Sequence, residues 1–102
     1  MIVAFSISPT AEDETGGVGE AVAEAVRVVR ESGLPSETNA MFTNIEGEWD
    51  EVMATIKRAV DVVADRSPRV GLVLKADIRP GHTDQLSAKV RRIDEQLGGA
   101  SS

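Results

Sequence analysis

The stretch SETNAMFTNIEGEWDEV, Ser36 to Val52, decides how the rest of the chain can be arranged. Ser36 to Gly47 reads as extended backbone. Asn39-Ala40 falls between two short runs, where a tight hairpin turn or a bulge is expected. In the second run Met41, Thr43 and Ile45 share one face, while Phe42, Asn44 and Glu46 share the other. Gly47 ends it. The period then changes from two to about 3.6 residues: Trp49, Val52, Met53, Ile56, Val60 and Val63 fall on one helical stripe. Glu48, Asp50 and Glu51 crowd the first turn, where the helix dipole favours anions, and Pro68 closes the helix. The same stretch poses a second question. Thr38, Asn39, Thr43, Asn44 and Glu46 are the solvated face of a plain hairpin or the lining of a pocket.

Working outward, Met1 to Pro9 reads as a strand with Val3, Phe5 and Ile7 on one face and Ile2, Ala4, Ser6 and Ser8 on the other. Both faces are fairly apolar, so this strand belongs in the middle of its sheet. An acidic loop, TAEDETGG, leads into a helix over Val18 to Ser32, whose Val18, Ala21, Val22, Ala25, Val26 and Val29 recur at helical spacing. Gly33 suits the position after a helix end, and Pro35 forbids resumption. Beyond Pro68, RVGLVLKADI is a strand with Val70, Leu72, Leu74, Ala76 and Ile78 on one side and Gly71, Val73, Lys75 and Asp77 on the other. After the loop RPGH, Thr83 or Asp84 is the expected cap of a third helix with a narrow seam of Leu86, Val90, Ile93 and Leu97.

Strand, helix, strand or hairpin, helix, strand, helix is the order of an α+β, ferredoxin-like split βαβ sandwich: a four-stranded antiparallel sheet with two helices on one face, plus a C-terminal helix. Residues 1–97 form the single expected domain and 98–102 a disordered tail. The second sheet face has no helix to cover it and is apolar in part, so a homodimer or homotetramer is expected through that face or through the third helix.

A chain of 102 residues can bury one core without staples. It has no cysteine, which rules out disulfides and thiolate metal sites. A net charge of −6 with one tryptophan and two phenylalanines lacks the cationic field and stacking platforms of nucleic-acid binders. The opening MIVAFSISPT has no basic leader, and no apolar run approaches a bilayer span, so a cytoplasmic protein is expected.

Few residues are spaced for catalysis. TGGVG before the first helix fits neither dinucleotide-loop nor P-loop spacing, and Glu12, Asp13 and Glu14 would repel phosphate. His82, the only histidine, sits alone in a Pro-Gly loop. Lys75 and Asp77 are a solvent-facing pair, an intersubunit pair or part of a site. Phe42, Asn44 and Glu46 supply one ring, one amide and one carboxylate. Such a face can read a heteroaromatic ring and balance a cation, and it equally suits an ordinary polar edge strand. Trp49 is in phase with the core stripe, yet its position at a helix start would let it reach a pocket mouth.

MIVAFSISP, MFTNIEGEWDEVMATIK and RVGLVLKADIR together resemble the small thiamine-binding protein family, over nearly the whole chain from Met1 to about Leu97. The most specific element is Met41, Thr43, Ile45, Glu46, Gly47, Asp50, Glu51 and Val52. One position departs from the family pattern: the residue after the methionine, usually small, is Phe42. The resemblance implies a ferredoxin-like fold, a homotetramer built from dimers, and non-catalytic binding of thiamine or its hydroxymethylpyrimidine moiety, with no further cofactor. By residue type, Asn39 or Asn44 would meet the aminopyrimidine edge and Glu46 would offset the positive ring. Met41, Phe42 or Trp49 would pack on a face, and Ser6 would add a hydroxyl; Thr43 completes the expected binding set. A regulatory or assembly domain without a ligand is the alternative. A cofactor-free enzyme using His82, Lys75 or Asp77 ranks last.

Overall fold

The computed structural model describes residues 1–9, 17–81 and 83–98. The acidic loop up to Gly16, including the first two residues of TGGVG, His82 and the end of the tail therefore lie outside the described residues. The elements are β1 (Ile2–Pro9), α1 (Gly17–Glu31), β2 (Ser36–Thr38), β3 (Thr43–Glu46), α2 (Trp49–Ala64), β4 (Val70–Asp77) and α3 (Gln85–Gln96). The four strands form one antiparallel sheet in the order β2-β3-β1-β4, so each βαβ half straddles a strand of the other, the split arrangement expected from the element order.

β1 is central, as its two apolar faces predict. Val3 lies opposite Ile45 on one side and Ala76 on the other, and Phe5 opposite Thr43 and Leu74. Val3, Phe5 and Ile45 are buried beneath α1 and α2, which pack on this face through Ala21, Ala25 and Val29 and through Val52, Ile56, Ala59 and Val63. Gly33 follows α1 at φ +78°, a left-handed conformation that favours glycine.

Three expectations are corrected. The extended run from Ser36 to Gly47 is interrupted: β3 begins at Thr43, and Met41 and Phe42 lie in the connecting loop. The buried stripe of α2 includes Thr55 and Ala59, whereas Trp49 is 55% exposed, because it stands in the first turn before the helix reaches the core. Thr55 fits an apolar interior because its hydroxyl donates to the Glu51 carbonyl at 2.8 Å. Finally, Asp84 occupies the cap position of α3 but has φ 56° and makes no side-chain cap bond.

The cap comes from across the sheet. Glu46, adjacent to the buried Ile45 and pointing to the opposite face, accepts from the Gln85 amide at 2.8 Å and the Leu86 amide at 3.1 Å. A carboxylate at a helix N-terminus satisfies orphan donors and meets the positive end of the dipole. α3 is thereby pinned to β3 on the sheet face that α1 and α2 leave open.

Gly47 sits where three segments meet. Its amide donates to the Met1 carbonyl at 3.0 Å, and its own carbonyl accepts from the Met1 nitrogen at 2.8 Å. A Cβ here would stand 3.1 Å from Val52 Cγ2 and 3.3 Å from Leu34 Cδ2. Both are side-chain ends that can give, so Gly47→Ala is expected to cost about 1–2 kcal/mol. Urea denaturation should show a lowered midpoint at an unchanged slope.

Candidate functional site

The turn between β2 and β3 is closed by one side chain. Asn39 Oδ1 accepts from the Met41 and Phe42 amides at 2.8 and 2.9 Å, and the Asn39 amide donates to the Phe42 carbonyl at 2.9 Å. Asparagine suits this task because its short amide can imitate a backbone acceptor. The resulting loop, Asn39 to Phe42, carries Met41 and Phe42 toward α1.

Between this hairpin, α1 and the later part of β1 lies a cavity of about 150 Å³. Its apolar wall includes Phe5, Ile7, Val22, Val26, Met41 and Phe42; polar side chains come from Thr38, Asn39 and Thr43, while Ser6 borders it from a β1 position whose side chain alternates to the opposite face. Among the described residues, none that lines it is charged. Thr38 and Thr43 are opposite in register, and their hydroxyls are hydrogen-bonded at 3.1 Å. Thr43 is buried and Thr38 exposed, so the pair links the interior wall to the rim.

Of the expected binding residues, the structure brings together Ser6, Asn39, Met41, Phe42 and Thr43 around this cavity. It sets the other three apart. Asn44 lies on the opposite sheet face, where its amide donates to Glu37 at 3.4 Å. Glu46 is also on that face, buried, with both oxygens engaged by α3. Trp49 stands exposed at the start of α2. Thr38, weighed above as possible pocket lining, is missing from the expected binding set, and so are Val22 and Val26. A four-residue loop from Asn39 to Phe42 pairs Thr38 with Thr43, so the loop length was the signal that would have found Thr38. Val22 and Val26 read as core positions, and only the placement of α1 against the hairpin reveals them.

Lys75 and Asp77 are on the open face, in register with Ala4 and Ile2. Asp77, Arg79 and Gln85 border a separate cavity of about 10 Å³, room for one water. Among the described residues, no three carboxylate or histidine groups stand together to hold a metal ion, and no helix is long and apolar enough to cross a membrane.

A family model described as thiamine-binding protein matches residues 3–94. A UPF0045 protein of Mycobacterium tuberculosis is 55% identical over 98 residues, 95% of this chain and 94% of the relative. The crystal structure of a hypothetical protein from Methanocaldococcus jannaschii superposes with a TM-score of 0.80 at 32% identity, covering 92% of this chain and 95% of that one. A Thermotoga maritima structure, provisionally described as a thiamine biosynthesis or salvage protein, gives a TM-score of 0.75 over 89% of this chain and 96% of that one. At 23% identity that likeness speaks to the fold.

Proposed function

This chain belongs to the thiamine-binding protein family, and on that premise we propose that it binds thiamine or its hydroxymethylpyrimidine moiety, without catalysis, as a carrier, buffer or sensor. The observation that carries the reading is the largely apolar cavity between α1 and the β2–β3 hairpin, bordered by Ser6, Asn39, Met41, Phe42 and Thr43. A concave, mostly apolar site with a few convergent polar groups is what a small heteroaromatic ligand requires. The net charge of −6 also favours a cationic ligand over nucleic acid. The proposed setting is cytoplasmic.

The assembly proposed is a homodimer or homotetramer. Its support is β4, an edge strand with Leu72, Val73 and, just beyond it, Ile78 at 44, 59 and 57% exposure. α1 and α2 leave these three side chains exposed, and a second copy would cover them. This same strand favours the alternative of an assembly domain without a ligand site.

Titration calorimetry and thermal denaturation with thiamine test the reading. A ligand selective for the native state must raise the melting temperature. Binding heat and a higher melting temperature are expected; neither at millimolar thiamine would end the proposal. Val22, on the cavity wall and 39% exposed, offers a block. Val22→Trp is expected to weaken binding about tenfold or more, equivalent to ~1.4 kcal/mol, while the fold persists.

A further inference from the structure

We propose that Met41 is an oxidation site that controls the cavity: hydrogen peroxide converts its thioether to the sulfoxide, which weakens ligand binding and leaves the fold intact. The inference rests on the proposed thiamine reading and adds what regulates that site.

The chain offers a peroxide few soft nucleophiles. It has no cysteine and three methionines. Met1 and Met53 are partly buried and pack against the core. Met41 is 73% exposed and also lines the cavity beside α1. Exposure decides which sulfur a dissolved oxidant reaches, so Met41 reacts first. In that step a sulfur lone pair attacks one peroxide oxygen; the S–O bond forms and the O–O bond breaks. The departing hydroxide takes the proton of the transferred oxygen and leaves as water. Sulfur gives up two electrons and the peroxide gains them. The product is a polar, chiral group that methionine sulfoxide reductases return to the thioether.

The position of Met41 couples this change to the site and spares the core. The turn is held by one side chain, because the amides of Met41 and Phe42 both donate to Asn39 Oδ1, at 2.8 and 2.9 Å. The thioether therefore keeps its place in a wall that includes Phe5, Ile7, Val22 and Phe42. A sulfoxide oxygen demands water or a hydrogen-bond donor. Turned inward, it fills part of a space of about 150 Å³ and sets a polar atom against apolar carbon. Turned outward, it withdraws the methionine surface on which a ring would pack. Both outcomes disfavour the ligand. The fold loses little, since a side chain 73% exposed stands outside the buried core.

The test treats the full chain with hydrogen peroxide and follows it by peptide mass spectrometry, thermal denaturation and thiamine calorimetry. Met41 should be converted before Met1 and Met53. The ligand-free melting temperature should stay within about 3 °C of the untreated value, and thiamine affinity should fall about tenfold. The two epimer-specific sulfoxide reductases together should restore it. Saturating thiamine should slow the conversion, because a ligand in the cavity shields the sulfur. Met41→Leu carries no sulfur there, so its affinity, whatever its starting value, should be the same before and after peroxide. Conversion of Met53 ahead of Met41, or unchanged affinity in chain fully oxidised at Met41, would overturn the inference and leave thiamine binding standing. An equal peroxide-induced loss in Met41→Leu would overturn it as well. No thiamine binding before treatment would remove the thiamine reading itself, and this inference with it.

Discussion

Glu46→Ala is expected to free α3 from the sheet while β1–β4, α1 and α2 stay folded. The side chain is 6% exposed and accepts from the first two amides of α3. Hydrogen bonds to a charged acceptor contribute more than neutral ones, and truncation leaves two amides without their partner. The expected loss is about 2–3 kcal/mol, limited because a helix end that swings out can be hydrated. Native-state hydrogen exchange should show residues 85–96 opening at much lower free energy than the core, as a separate unit. Glu46→Gln, which keeps one acceptor and loses the charge, should fall between. Asp84→Gly is the informative contrast: Asp84 makes no cap bond and has φ 56°. Glycine relieves that strain, so stability should stay within about 1 kcal/mol of the parent. Unchanged protection of α3 in Glu46→Ala would mean that its side-chain packing, rather than the carboxylate, holds it.

That carboxylate also marks where sequence reasoning reaches its limit. Element order and the central place of β1 follow from local periodicity, because alternation and the 3.6-residue stripe are written within a few neighbouring residues. The alternation of β3 was legible too, with Thr43 and Ile45 on one side and Asn44 and Glu46 on the other. What a carboxylate at position 46 does was not legible, since its partners lie 39 and 40 residues away. A buried glutamate beside a glycine suits ligand binding and helix capping equally well until the sheet brings α3 across it.

The candidate site divides in the same way. Asn39, Met41 and Phe42 stood out because the hairpin between β2 and β3 concentrates unusual side chains in one short run. The length of the turn was hidden in a side-chain bond: Asn39 Oδ1 folds the chain back on the Met41 and Phe42 amides. That bond removes Met41 and Phe42 from the strand and sets the register in which Thr38 meets Thr43. Trp49 illustrates the opposite error. Helical phase placed it in the core stripe, but phase gives direction around a helix and says nothing of how far along its axis the core extends.

Ile45→Ala is expected to be the most damaging of these substitutions, at about 3–4 kcal/mol, from lost transfer energy plus the cavity left behind. Ile45 is fully buried, opposite Val3 on one neighbouring strand and Ser36 on the other, beneath α2. In a domain of this size such a loss should lower the melting temperature by roughly 15 °C, and it is a large part of the 5–15 kcal/mol that typical domains possess. Asn44→Ala, one position earlier, removes only a 3.4 Å bond to Glu37 at an exposed site, so its cost should stay within about 0.5 kcal/mol. Positions 44, 45 and 46 therefore predict a small loss, a large global loss, and a loss concentrated in α3. A one-residue slip of β3 would turn every one of these side chains to the other face. Chemical denaturation of the three variants reads the register directly: a loss at Asn44 greater than at Ile45 would put Ile45 on the open face, and from that register Glu46 could not cap α3.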